Sequence, residues 1–436
     1  MITAALMFPA LFALILLGLP VAFSLVLVSV GAGLVAFGMI GFNQLYGSFY
    51  SASTNFILSA IPMFILMGAL LERSGIAERL FRVMNMWLGR LPGGLALATI
   101  AMGAVFAAAA GVVGAVEVMI GMMAIPAMQR ARYSNTLIAG TICAGGSLGT
   151  MIPPSVIAVM YASLAQMSVG KLLAGMMLPG LMMVVLFLAY IVIHGWLFPP
   201  EAQPNDPPEE QFALSEKLWM TFTTLVPVFL LIFAVLGSIL GGIASPTEAA
   251  AVGAAGALVL CIVNRRFNGA VLKESLAITV RISAMILLIV AAGTMFMGAF
   301  AANGGARLIR EFIDGTGLGA TGMIVFFLLV VFVLGFVLDW TANVLICVPL
   351  FMPFIRSSGI DPIWFATLVL IVIQTGYLTP PMASSIFYLK SIAPPDMTYG
   401  EMCRGVLPFI ALQVLTLLLI VMFPELATWL PEKLVQ

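Results

Sequence analysis

Apolar segments fall at about 2–17, 21–40, 55–71, 92–127, 135–166, 172–197, 219–240, 246–263, 284–302, 319–355, 362–393 and 405–424, and four of them are broken. A membrane span needs about 20 apolar residues. Segments 92–127, 135–166 and 319–355 are too long for one span, and each carries Gly or Pro near its middle. Segment 362–393 is interrupted at Pro380-Pro381. The runs are continuous rather than alternating, which predicts membrane helices and not a barrel. Of 436 residues, 62% are hydrophobic and 8% charged, with 18 basic against 18 acidic. A soluble domain carries about 25% charged residues. The composition therefore excludes a soluble enzyme, a nucleic-acid binder and a disordered chain. Cys143, Cys261, Cys347 and Cys403 share no short spacing and read as small buried hydrophobes. His194 is the sole histidine, too few for a zinc site. The chain has no phosphate-binding G-x-x-x-x-G-K-S/T run. Its first apolar stretch lacks a positive n-region and reads as a first span.

Polar punctuation organises these segments. Residues 72–91 hold Arg73, Arg79, Arg82 and Arg90 between Leu80, Phe81, Val83, Met84 and Trp87, an amphipathic helix expected on a membrane surface. The polar, proline-rich stretch 199–217 lies near the midpoint and reads as a join between halves. The halves repeat. Ser74 and Asn303 open matching stretches 229 residues apart. Pro126 and Pro353, Gly149 and Gly376, and Pro153 and Pro380 are each 227 apart, and Pro179 and Pro408 are 229 apart. With the N-terminus outside, the loops at 72–91, 129–134, 217, 264–283 and 390–404 place 13 basic residues in the cytoplasm and leave 5 outside. That ratio obeys the positive-inside rule. In this arrangement 92–127 dips in and returns to the cytoplasm, although two full spans there would give the same count, and the second half runs inverted.

Inverted repeats with helices broken near mid-membrane point to a secondary transporter's binding site. A helix interrupted in hydrocarbon leaves N–H and C=O groups unpaired, at several kcal/mol each. Freed carbonyls suit a hard cation, and freed amides at a half-helix N-terminus suit a carboxylate. The candidate breaks are Ala107 to Gly114, Gly145 to Pro154, Gly335 to Asn343, and Gln374 to Met382. Asp339 is a carboxylate inside an apolar segment, functional by default in membranes. Glu117 and Lys390 are also charged within apolar surroundings. Glu117 is a candidate for lining a polar cavity or choosing the solute. Lys390 either balances a substrate carboxylate or snorkels to the surface.

At these residues the chain resembles the large membrane subunit (M, DctM-like) of TRAP transporters, from about residue 3 to 430. The resemblance is carried by Leu71-Glu72-Arg73-Ser74-Gly75-Ile76-Ala77-Glu78-Arg79-Leu80, Gly89-Arg90-Leu91-Pro92-Gly93-Gly94, Gly149-Thr150-Met151-Ile152-Pro153-Pro154-Ser155 and Thr379-Pro380-Pro381. It implies an all-α polytopic membrane protein of two inverted-topology repeats. Each repeat has a re-entrant helical hairpin and a broken transmembrane helix, and an elevator mechanism moves a transport domain against a scaffold. Residues 1–91 would be scaffold and arm helix of the first repeat, and 92–197 the first part of the transport domain. Residues 198–318 would be linker, scaffold and second arm, 319–424 the rest of the transport domain, and 425–436 a tail.

The resemblance further implies Na+ as coupling ion, with no organic cofactor. A first Na+ site would use Ala107, Ala110, Gly149, Ile152 and Pro154. A second would use Gly335, Asp339, Gly376, Thr379 and Met382, largely through carbonyls. Gly111, Val112, Glu117, Trp340, Thr341 and Lys390 are substrate candidates. Many relatives carry Ser-Gly-Ser at the first tip, where this chain has Ala110-Gly111-Val112, so fewer side-chain oxygens serve that site. The expected partners are a small four-helix membrane subunit (Q), a periplasmic substrate-binding protein (P) and a small organic anion such as a carboxylate, 2-oxo acid, sugar acid or sulfonate. The expected location is the bacterial inner membrane. The alternative is a stand-alone Na+/dicarboxylate-type carrier of the same superfamily.

Overall fold

The computed structural model describes residues 2–110, 113–198, 213–316, 319–381 and 383–434. Among these the secondary structure is helical, without strands. The first half runs α1 (Ile2–Leu16), α2 (Val21–Phe37), α3 (Gly41–Ser53), α4 (Ala60–Arg73), α5 (Ile76–Leu88), α6 (Gly94–Ala110), α7 (Val113–Arg130), α8 (Asn135–Ser147), α9 (Val156–Leu164) and α10 (Val169–Leu197). The second half runs α11 (Leu214–Ile232), α12 (Pro246–Val263), α13 (Gly269–Ala302), α14 (Gly305–Thr316), α15 (Ala320–Leu334), α16 (Trp340–Ser357), α17 (Pro362–Leu378), α18 (Ser384–Lys390), α19 (Tyr399–Met422) and α20 (Glu425–Leu434). Among the described residues, eight helical stretches are long and apolar enough to cross a membrane. The outside is apolar as well, with Leu27, Val35, Phe222, Val259 and Leu415 exposed. Such a surface suits lipid and not water.

Local signals set the helix ends. Ser134, Ser168 and Asn268 cap α8, α10 and α13 with side-chain oxygens. Ser245-Glu248 and Thr398-Glu401 close capping boxes at α12 and α19. Gly75 turns the chain between α4 and α5 at φ 71°, a left-handed conformation that glycine adopts without strain. Both α7 and α16 contain 18 residues, and their bounds stand 227 apart. The starts of α5 and α14 stand 229 apart, and those of α8 and α17 stand 227 apart.

Long-range packing mixes the halves. Helix α4 lies along α12, where the Cys261 thiol donates to the Leu70 carbonyl at 3.0 Å. Helix α13 lies along α2 and α3, and the Asn303 amide donates to the Ala32 carbonyl at 3.1 Å. Helices α8 and α19 cross at glycines. A Cβ on Gly140 would stand 2.1 Å from the Gly405 carbonyl oxygen, and one on Gly405 would stand 2.1 Å from that of Thr136. Such contact leaves no room for a side chain, and close backbone approach is how membrane helices gain packing energy.

Three expectations are corrected. Residues 264–283 are not a loop: α13 starts at Gly269 and is one 34-residue helix, about 51 Å long at 1.5 Å per residue. Its charges, Lys273, Glu274 and Arg281, are exposed on the extra turns, so they extend the helix past the apolar zone instead of ending it. Residues 425–436 are not merely a tail, since Glu425–Leu434 is a helix packed on α10. The arm α5 does not present its apolar face to lipid alone. Its Ile76, Ala77, Leu80 and Val83 are buried, and the helix packs on α6. Trp87 donates to Thr221 at 2.9 Å, and Arg79 donates to Asn264 at 2.9 Å.

Candidate functional site

Two helices are interrupted where Pro-Pro was expected to interrupt them. Helix α8 ends at Ser147 in a 3-10 turn, Leu148–Thr150, and the chain resumes as α9 at Val156. Helix α17 ends at Leu378 and resumes as α18 at Ser384. Proline removes an amide donor and disfavours helix before it, so two in a row force the gap. Both Pro-Pro bonds are cis.

The second break is the more fully described. Helix α15 ends at Leu334, and the chain turns through Gly335 to Asp339, which caps α16 by accepting from the Ala342 amide at 3.2 Å. Asn343 reaches back from α16, donating to the Val331 carbonyl at 2.8 Å and so tying α15 to α16. Gly335 and Gly376 face each other: a Cβ on Gly376 would stand 3.7 Å from the Gly335 Cα. The carbonyl ends of α15 and α17 therefore meet. Helix C-termini carry partial negative charge and carbonyls without helical partners. A cavity of about 10 Å³ lies here, lined by Gly335, Trp340, Asn343, Gly376, Tyr377 and Ser384 among others. That is about the space of one water-sized sphere. The half-buried Thr379 donates its hydroxyl to the Thr375 carbonyl at 2.7 Å. A hydroxyl keeps acceptor lone pairs while donating. Met382 lies outside the described residues.

At the first break, α6 packs against the Leu148–Thr150 turn. A Cβ on Gly103 would stand 2.8 Å from the Gly145 carbonyl oxygen, so the two backbones touch. Ala107 is one turn further along α6 and buried. Gly149 and Pro154 are buried, and Ile152 is half-buried. The Ser155 hydroxyl spans the break to the Thr150 carbonyl at 3.0 Å. Ala110 closes α6. Gly111 and Val112 lie outside the described residues.

Polar contacts join the two breaks. Gln374 donates to the Ser147 hydroxyl at 3.1 Å, both side chains being fully buried. These two positions are 227 apart, the same spacing as the repeat landmarks. Gln129, at the end of α7, donates to Asp396 at 3.3 Å, beyond the end of α18. Arg356, 227 residues later at the end of α16, donates to the Ala165 and Gln166 carbonyls beyond the end of α9. Each half thus holds the other at equivalent places. Among the described residues, the Gln374 Oε1 and Thr341 Oγ1 atoms are buried with no hydrogen-bond partner. A buried polar atom left unpaired costs about 1–3 kcal/mol, so both are candidate ligand contacts.

The remaining substrate candidates separate. Glu117 has no exposed surface; it accepts from Tyr377 at 3.0 Å and from Ser385. It therefore does not line an open cavity, because both carboxylate oxygens are covered by α17 and α18. Trp340 is half-buried at the start of α16 beside Thr341. Lys390 is exposed at the end of α18, with its ammonium 5.7 Å from the Tyr399 ring centre. Sequence reasoning placed Ser147, Asn343 and Tyr377 inside the candidate breaks without giving their side chains a role, and it missed Ser385.

Eight possible membrane crossings among the described residues, with two interrupted helices in mutual contact, are the build of a multi-pass membrane protein. Its fold is similar to the crystal structure of the YdaH transporter of Alcanivorax borkumensis, with a TM-score of 0.63 at 15% identity, covering 94% of this chain and 96% of that one. Residues 8–426 match the family described as "Tripartite ATP-independent periplasmic transporter, DctM component". The chain belongs to that family. It is 30% identical to the C4-dicarboxylate TRAP transporter large permease protein of Pseudomonas aeruginosa, covering 88% of each chain. It is also 30% identical to the ectoine TRAP transporter large permease protein of Halomonas elongata, covering 96% of each. A third relative, the isethionate TRAP transporter permease protein DctMQ of Oleidesulfovibrio alaskensis, is 30% identical over 95% of this chain but 64% of its own length. The chain is therefore a large permease subunit of a bacterial inner-membrane transporter and not an enzyme.

Proposed function

We propose that this chain carries a small organic anion inward, driven by Na+, as the translocating subunit of a tripartite transporter. The observation that carries the reading is the meeting of the α15 and α17 carbonyl ends at Gly335 and Gly376, over a cavity the size of one ion. A hard cation wants oxygen ligands, and helix C-termini supply them without a fixed charge. The Thr379 hydroxyl and the Asp339 carboxylate would add side-chain oxygens. The first site would form in the same way from Ala107, Ala110, Gly149, Ile152 and Pro154. The anion would meet the amide end of α16, near Trp340 and the unpaired Thr341 hydroxyl, which can donate to it.

Family membership favours the tripartite assembly over the stand-alone carrier. A periplasmic binding protein would deliver the solute, and a small membrane subunit would brace the scaffold. The longer DctMQ relative fits a large and a small permease part joined in one chain. Relatives named for a C4-dicarboxylate, ectoine and isethionate support a small carboxylate or sulfonate as the solute class. The recurrence of helix bounds at 227–229 residues supports two repeats, inverted in the membrane, with α6–α7 and α15–α16 as re-entrant hairpins. The N-terminus would face the periplasm, which keeps 13 of the 18 basic residues inside. The ties Gln129–Asp396, Arg356–Ala165 and Ser147–Gln374 support a transport domain moving as one piece against the scaffold.

Thr379→Ala removes one oxygen from the second site and little packing. In proteoliposomes holding the full assembly, the Na+ concentration for half-maximal uptake should rise about tenfold, the worth of one charge-assisted contact of about 1.4 kcal/mol. An unchanged Na+ dependence would remove Thr379 from the site.

A further inference from the structure

Glu117 is a fully buried carboxylate that nothing in the proposed ion and substrate sites uses. It sits on α7, one turn after Val113, close to the first tip. One carboxylate oxygen accepts from Tyr377, the residue after Gly376 and before the second break. The other accepts from Ser385, just past that break. A single side chain from the first half thus clamps both shores of the gap in the second half. Gly146 makes room for it: a Cβ there would stand 2.7 Å from the Glu117 Cβ. The Cys143 thiol lies beside it on α8, and Tyr388 of α18 packs over Gly114, one turn back on α7.

The fold itself does not require this clamp. The equivalent place in the second half, 227 residues on, is Val344, buried and apolar. The partner of Gly146 at that spacing is Ile373. The architecture closes in the second half with hydrocarbon where the first half buries a carboxylate. A carboxylate inside a membrane domain is costly, and one retained where apolar packing suffices marks function.

We infer that Glu117 is a positioning residue that couples the two cation sites, transmitting the state of the first break, where Gly149 lies one turn past Gly146, to the second break. The inference rests on the Na+ reading above and deepens it. When a cation at Gly149 fixes the first break, α7, packed on the Leu148–Thr150 turn and on Gly146, is fixed with it, and Glu117 fixes Tyr377 and Ser385 and the carbonyls at Gly376 to Thr379. The second cation then finds its ligands already in place, which is positive cooperativity through a shared physical contact.

Two variants test it in the full chain in lipid nanodiscs: Glu117→Gln, and Tyr377→Phe, which removes one tie by a single atom. Calorimetric titration with NaCl, against choline chloride, should show cooperative binding in the unchanged protein. In both variants the Hill coefficient should fall to about 1, and overall affinity should fall about tenfold. Hydrogen exchange at 376–386, measured in choline alone, should quicken at least severalfold in both. Unaltered cooperativity together with unaltered exchange would overturn the inference, as would a uniform loss of thermal stability with the Hill coefficient intact. Absence of any Na+ binding by the unchanged chain would instead sink the Na+ reading. The exchange at 376–386 would then decide the clamp by itself, unchanged rates overturning it.

Discussion

A methyl group at Gly376 should abolish Na+-driven uptake and leave the protein folded. The Cβ of Gly376→Ala would stand 3.7 Å from the Gly335 Cα, an ordinary contact that requires no movement. Glycine at this place in α17 is therefore not demanded by packing, and its backbone is helical. Gly376 lines the cavity of about 10 Å³ between the two helix ends, and a methyl there should occupy it. A methyl group takes the whole of a space sized for one ion or water. The carbonyls would lose their cation, while the Asn343–Val331 tie keeps α15 against α16. Uptake should fall at least a hundredfold, with thermal stability in detergent close to that of the unchanged chain. Replacement of Ala107 by Gly, which would enlarge the proposed first site at a helix cost of about 1 kcal/mol, should be much milder. Retained uptake in Gly376→Ala would show that the cation does not sit between these glycines.

Gly140→Leu should have the opposite signature, loss of the folded protein. Here a Cβ would stand 2.1 Å from the Gly405 carbonyl oxygen and 2.9 Å from the Phe409 ring. The obstruction is backbone, which cannot turn aside as a side chain can. Helices α8 and α19 would have to separate along their crossing. Overpacking a tight core costs about 1–3 kcal/mol and more where rigid parts collide. The variant loses dispersion contacts along both helices as well. Thermal denaturation of the purified chain should show a large fall in midpoint, or no folded fraction at all. Gly31→Ala, whose Cβ meets nothing within 4 Å, is the matched control and should be silent. Equal stability of the two variants would contradict the close crossing.

Much of the fold was legible because its punctuation is local. The two Pro-Pro pairs fixed the breaks, since a missing amide donor acts on its own helix whatever surrounds it. Ser74-Gly75 placed the turn into the first arm, and the recurrence at 227–229 residues foresaw the helix bounds of the second half. Where reasoning failed, charge was read as loop. Lys273, Glu274 and Arg281 looked like a cytoplasmic connection, but they ride on a helix long enough to leave the apolar zone, with Glu274 3.4 Å from Arg73. Residues 425–436 read as a tail because the last apolar segment stops at 424. Yet Pro424 precedes α20, and the helix gains its packing from α10, where a Cβ on Gly175 would stand 2.9 Å from the Ala427 carbonyl oxygen.

The site was legible in its backbone and not in its side chains. Gly335, Gly376 and Thr379 carry the local signature of a break. Asn343, Ser147 and the Glu117–Tyr377–Ser385 cluster act through partners up to 268 residues away, a distance no local pattern encodes. Asp339 shows the limit from the other side. Its place in an apolar segment marked it as functional, and one of its carboxylate oxygens serves as the α16 cap.

Imposed ion gradients test the central claim most directly. The full assembly, with its binding protein and small membrane subunit, is reconstituted in proteoliposomes, and uptake of the binding protein's own solute is followed. An inward Na+ gradient should drive accumulation above the external concentration. Equimolar K+ or choline gradients should give only equilibration, and a Na+ ionophore should collapse the accumulation. Accumulation of equal extent under K+ or choline would contradict Na+ coupling at the Gly335–Gly376 site.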